Sequence, residues 1–216
     1  MLFGIDPIDL IKTVGVLGMA FIVFAESGLL VGFLLPGDTL LFAAGFLATQ
    51  NVLGVSVHVL AAVLFLAAIA GDSVGYAIGH RTGSRIFRKE DSIIFHKDNI
   101  KRAEAFYKRF GSITIVIARF VPVVRTFAPV VAGIGNMNYR TFLIYNMIGG
   151  LLWAVGITYL GYFSGGFFES HGIDIDHFIL PAIGIATLIS IISPLIHILK
   201  NPKNRAKLRA KFKKNS

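Results

Sequence analysis

The sequence predicts an all-α integral membrane protein: an inverted repeat of two re-entrant helical hairpins plus about four transmembrane helices. Three observations predict it. The 216 residues are 55% hydrophobic and only 15% charged, with a mean hydropathy of +0.71, which is the composition of a membrane-embedded chain. Residues 142–162 run 21 positions without a charge, and residues 178–199 run 22 with His197 as the sole ionisable group. About 20 such residues cross a bilayer. Finally, two other apolar stretches are broken by prolines and charges where a plain span would run through.

In chain order, Asp6-Pro7-Ile8-Asp9 reads as a helix start, with acids in the first turn and a proline where no backbone donor is needed. The N-terminal stretch lacks a basic region and a small-residue cleavage site, so it reads as a mature start and not a signal peptide. From Leu10 the chain is apolar except for Lys12 until Glu26. Residues 29–35 are apolar again, Pro36-Gly37-Asp38-Thr39 breaks the run, and residues 40–48 resume it before Gln50-Asn51. Asp38 after a Pro-Gly break can cap a helix restarting at Thr39. Residues 26–48 therefore read as a hairpin whose turn is buried in apolar sequence. Such backbone is tolerated at membrane depth only against protein or a water-filled cavity.

Residues 55–78 form the next span, interrupted by Gly71-Asp72-Ser73. A basic segment follows, about residues 81–110, in which Ile100, Ala103, Phe106, Tyr107 and Phe110 recur at helical spacing. It reads as an amphipathic helix on the membrane surface, capped by Asp98 or Asn99 and ended by Gly111. Residues 113–135 form a second broken stretch. It holds Arg119-Phe120-Val121-Pro122 and Arg125-Thr126, with Pro129 and Gly133 beyond. An arginine at the bilayer centre costs at least ~3 kcal/mol, and proline breaks a helix. The combination reads as broken backbone lining a cavity, with its cations aimed at something anionic. Tyr139-Arg140 opens the span to Tyr162, an acidic loop with Glu169, Asp174 and Asp176 follows, and a last span leads to a basic tail, residues 200–216.

Charge sets the topology. Of 21 basic residues, nine lie in residues 81–109 and eight in residues 200–214. This bias puts both segments in the cytoplasm and is no sign of nucleic-acid binding. With both flanks of residues 113–135 cytoplasmic, that stretch enters and leaves by one face. The hairpin at residues 26–48 enters from the other if the N-terminus is cytoplasmic. Opposed hairpins, each followed by a span, are the pattern of inverted-repeat transporters, whose sites lie near the midplane between the repeats. The chain is then one transmembrane domain, residues 1–199, with the tail appended.

The charges inside apolar sequence are the site candidates. Arg119 and Arg125 suit a phosphate, being planar, permanently charged and able to bond bidentately. Glu26 and Asp38, drawn out of water, hold protons more readily and suit proton exchange in a transport cycle. Ion pairs that merely tie the hairpins together are the structural alternative. In one continuous helix the two arginines would diverge around the axis, whereas a break at Pro122 lets both face one cavity. Asp72, Pro36, Gly37, Pro122 and Pro129 are supporting positions; for Asp72 a functional role weighs equally with a structural one, as a partner of Arg81 or a packing residue. Gly149, Gly150, Gly161, Gly165 and Gly166 read as helix-packing contacts. His58 and His197, near span ends, read as interfacial. The outer-loop set Glu169, His171, Asp174, Asp176 and His177 matches no ligand spacing, so no metal is expected. There is no cysteine, hence no disulfide or thiolate site. No phosphate-cradling glycine motif is present, so no nucleotide drives the protein and no cofactor is expected.

These motifs resemble the DedA (SNARE-associated, VTT-domain) family. The resemblance runs from about Phe24 to Tyr162 and rests on Glu26-Ser27 followed by Pro36-Gly37-Asp38, on Gly71-Asp72 with Gly75-Tyr76 and Gly79, and on Arg119-Phe120-Val121-Pro122 with Arg125-Thr126, Pro129 and Gly133. It implies a bacterial inner-membrane protein with two re-entrant hairpins. It also implies movement of lipids between leaflets, including undecaprenyl phosphate, dependent on the proton motive force. The family's essential acids fall on Glu26 and Asp38 and its essential arginines on Arg119 and Arg125. The expected function is a proton-coupled lipid-phosphate translocase and not an enzyme, with membrane lipids, a polyprenyl phosphate and protons as partners. A homo-oligomer is left open. A cation/proton antiporter is the alternative, and a membrane lipid phosphatase ranks below both, because no histidine neighbours the arginines in sequence.

Overall fold

A computed structural model describes residues 7–29, 37–82 and 107–171, together with Leu35 and Ala105. The expected last span, the basic tail, Pro36 and most of the amphipathic segment lie outside the described residues, as do Asp174, Asp176, His177 and His197. Every regular element among the described residues is helical.

Helix α1, Pro7–Gly28, starts on its proline and ends where the Leu29 N–H reaches the Ala25 carbonyl. Helix α2, Gly37–Thr49, begins earlier than the sequence suggested. Asp38 therefore stands inside the first turn and not at the cap. Its carboxylate is held by a side chain from another element instead of its own backbone. Asn51, with φ of 54°, turns the chain out of α2.

Helix α3, Val57–Thr82, is 26 residues long, about 39 Å at 1.5 Å per residue, enough for a bilayer core. It corrects a second expectation, because it does not break at Gly71-Asp72-Ser73. The Ser73 hydroxyl donates back to the Ile69 carbonyl at 2.8 Å and stays inside the helical frame.

The expected break near Pro122 is present. Gly111, with φ of +58°, ends the helical turn at residues 107–110. A 3-10 turn, Gly111–Ile113, leads into the short helix α4, Thr114–Ala118. Val121 is extended (φ −119°, ψ 103°) and Pro122 opens helix α5, Pro122–Ile134. A residue before proline is pushed out of helical geometry, which locates the break. Helix α6, Tyr139–Gly150, is capped by the Asn138 side chain, which accepts the Arg140 N–H at 2.9 Å. It continues through a π-helical turn, Leu151–Val155, into helix α7, Gly156–Ser170. Together these make one 32-residue apolar helix. Among the described residues, it and α3 are the two helices long and apolar enough to cross a membrane. Their outward faces match: Leu66 is 62% exposed and Phe163 65%, large apolar side chains turned away from the core.

Helix α2 packs along α7, while α5 and α1 pack along α3. Glycines bring the backbones together. A methyl on Gly161 would overlap the Phe42 carbonyl, and one on Gly45 the Thr158 carbonyl. The other pair of helices repeats this: a methyl on Gly79 meets the Val130 carbonyl, and one on Gly133 that of Tyr76. Gly149, Gly150 and Gly165 are packed too, but a methyl on Gly166 would meet nothing within 4 Å among the described residues, so there it makes no packing contact. Gly161→Val is expected to lower the unfolding free energy in detergent by ~2–3 kcal/mol. Gly166→Ala, measured beside it, should leave the melting temperature unchanged.

The core gathers Val16 and Val23 from α1, Leu41 and Ala44 from α2, Leu60, Leu64 and Ala68 from α3, and Trp153 and Ala154 from the π turn. A second cluster joins Ala118 to Val124, Phe127 and Val130 of α5.

Candidate functional site

The ends of α1 and α2, the start of α5 and the π turn converge on one group of charges. Glu26 sits in the last turn of α1 and is 1% exposed. Its carboxylate lies against Gly37, at the N-terminus of α2, so closely that a methyl there would overlap it. Glycine at position 37 therefore makes room for the acid, and the helix N-terminus favours its negative charge. Arg125, in the first turn of α5, points both arms of its guanidinium at the first hairpin. Nη2 bonds Glu26 Oε1, and Nη1 bonds Asp38 Oδ1 at 2.8 Å. One planar fork thus bridges the two acids that sequence reasoning had grouped with it.

Arg119 takes different partners. It stands in the break after α4, where its Nη2 donates to Asp72 Oδ2 and to Asn146 Oδ1. Asn146 also donates to the Ile69 carbonyl of α3 at 3.2 Å. Asp72 is thus the partner of Arg119, and not of Arg81. The Arg119 stem rests on Gly149, where a methyl would lie 2.8 Å from Cδ. Of the four charges, Glu26, Asp38 and Arg125 meet directly. Arg119 joins them only across an aromatic ring.

That ring is Trp153. The Arg119 Cζ lies 5.6 Å from its ring centroid and the Arg125 Cζ 5.1 Å, so both guanidiniums face the indole within cation–π distance. The indole Nε1 donates to Asp38 Oδ1 at 2.6 Å. Trp153 and Asn146 are the two site residues that sequence reasoning passed over. Asn146 had a signal as the one amide inside the uncharged run 142–162; Trp153 had a weaker one, a mid-span place away from the interfacial belts where tryptophan usually lies.

The two halves differ in access. Arg119 and Asp72 are 5% and 6% exposed in their side chains, a sealed pair. The Asp38 side chain is 50% exposed and that of Arg125 12%, so this half opens to the surface. Pro129 is buried within α5, beside Gly75; the side chain of Pro122 lies outside the described residues. No cluster of metal-ligating residues occurs among the described residues. His58 pairs with the Tyr159 hydroxyl at the far end of α3 from Arg81.

Residues 35–163 match the family described as the VTT domain. The chain is 42% identical over 186 residues to Protein DedA of Escherichia coli strain K12, covering 86% of this chain and 83% of that one. It is 43% identical over 167 residues to an uncharacterized membrane protein of Mycobacterium tuberculosis strain H37Rv, covering 74% and 73%. A similar protein of Mycobacterium leprae is 43% identical over 144 residues, covering 67% and 64%. No solved structure matches the chain significantly.

Proposed function

The chain belongs to the VTT-domain (DedA) family of membrane proteins, and from that footing we propose that it is a translocase for a lipid phosphate, undecaprenyl phosphate foremost, coupled to the proton motive force. The observation that carries the proposal is Arg125 bridging Glu26 and Asp38 where the site opens to the surface. A guanidinium fork that holds two carboxylates matches a phosphate equally well. Anion and carboxylates therefore compete for one cation. When the anion binds, the released Glu26 takes up a proton; when it leaves, Glu26 returns to Arg125 and the proton goes. Arg119 Nε and Thr126 Oγ1 add support: both are buried without a hydrogen-bond partner among the described residues, and an oxyanion would satisfy such donors.

The reciprocal glycine contacts support the inverted repeat. On the hairpin arms Phe42 and Gly45 match Val130 and Gly133; on the spans Tyr76 and Gly79 match Thr158 and Gly161. Each pair is three residues apart, and each hairpin-arm pair contacts the span of the opposite half. In this reading the stretches of about residues 26–48 and 113–135 are the re-entrant hairpins, the site lies between them at mid-membrane, and the basic segments face the cytoplasm of a bacterial inner membrane.

Among the described residues the site holds three carboxylates to two guanidiniums, one acid more than an anion site needs, and this keeps cation/proton antiport as the second reading. Reconstitution separates the two. Proteoliposomes should flip undecaprenyl phosphate faster than a phospholipid, and faster still with a pH gradient. Cation-dependent proton flux without lipid-phosphate movement would reverse the order.

A further inference from the structure

We propose that Trp153 is a positioning residue, the standby partner that holds Asp38 when Arg125 turns to an anion; the inference rests on the lipid-phosphate reading of this site. Asp38 Oδ1 has two donors at once, Arg125 Nη1 at 2.8 Å and Trp153 Nε1 at 2.6 Å. The two differ in kind. A guanidinium is a charged fork that any incoming phosphate will recruit, whereas an indole N–H is neutral and single, and cannot bind a phosphate bidentately. When Arg125 leaves, Asp38 keeps the indole bond, and a carboxylate that keeps one donor escapes much of the cost of an unmet charge. The ring face acts in parallel. Both guanidiniums lie over it, and this contact requires no acceptor, so it survives whichever anion they hold.

The fold fixes the indole for this task. Trp153 is 2% exposed and packed with Leu41, Ala68 and Ala154. It sits in the π turn between α6 and α7, and π turns recur at functional positions.

The test uses the full chain in nanodiscs, with radiolabelled farnesyl phosphate as the probe and farnesol as the uncharged control. Trp153→Phe keeps an aromatic face and removes the N–H; it should raise the Kd for farnesyl phosphate about tenfold. In an Asp38→Ala background, where there is no carboxylate to hold, the same change should cost about twofold or less. The unmodified chain supplies a second measurement, because Trp153 is its only tryptophan: its emission should shift with farnesyl phosphate and not with farnesol. Equal weakening in both backgrounds overturns the standby role, as does unchanged emission while the label binds. If the unmodified chain binds no farnesyl phosphate, the lipid-phosphate reading fails first, and this inference with it.

Discussion

On the proposed translocase function, replacing Arg125 by alanine is expected to lower lipid-phosphate translocation about a hundredfold, because removing one partner of a buried, hydrogen-bonded charge pair costs ~2–5 kcal/mol. The geometry explains why the loss falls on transport. Asp38 is half exposed and keeps Trp153, and Glu26 keeps the N-terminus of α2. Both acids retain a neighbour, which limits the loss of stability, while the cation proposed to recruit the anion is gone. Arg125→Lys should give an intermediate rate: the charge remains, but a point ammonium cannot hold both carboxylates in one plane. Initial rates in proteoliposomes, beside melting temperatures for each variant, check this. A normal rate in Arg125→Ala would remove Arg125 from the transport site.

Asp72→Ala acts on the other half and should show first as instability, ~3–5 kcal/mol, because it leaves the Arg119 charge buried without its partner. Arg119 and Asp72 are sealed from the surface and cross-linked through Asn146 to the backbone of α3. Replacing both partners by apolar residues, Asp72→Leu with Arg119→Met, should recover most of that stability. Unfolding in detergent, followed by circular dichroism, measures both changes. If the double variant is stable yet fails to transport, Arg119 binds the anion as well as holding the fold. If it is stable and transports, Arg125 binds the anion alone.

The helices and the break at Pro122 were legible because their causes are local. Long uncharged runs, a proline and the extended residue before it act within a few positions. The grouping of Glu26, Asp38 and Arg125 was legible for a different reason: charge is so costly in an apolar segment that each one implies a partner. The pairing itself was less legible. Asp72 was offered Arg81 as a neighbour in sequence, but its partner Arg119 is 47 positions away. Gly71-Asp72-Ser73 looked like a break because its residue types suit one. The helix runs on because Ser73 bonds its own backbone and Gly71 meets Gly28 of α1. Trp153 was hidden most thoroughly. A tryptophan in an apolar run is ordinary core until the fold brings Asp38 to it across 115 positions.

The π turn has a consequence for how the long helix is phased. On its N-terminal side, Asn146 and Gly149 face Arg119. On its C-terminal side, Thr158, Gly161 and Gly165 form the seam with α2. A regular α-helix advances ~100° per residue, so one azimuthal phase would have to serve both partners along its whole length. The wide turn at Leu151–Val155 slips that phase, letting the charge-facing half and the seam-facing half be set independently. Trp153 stands on the slip itself. The packing of its N-terminal half on α4 and its C-terminal seam with α2 therefore meet at the indole.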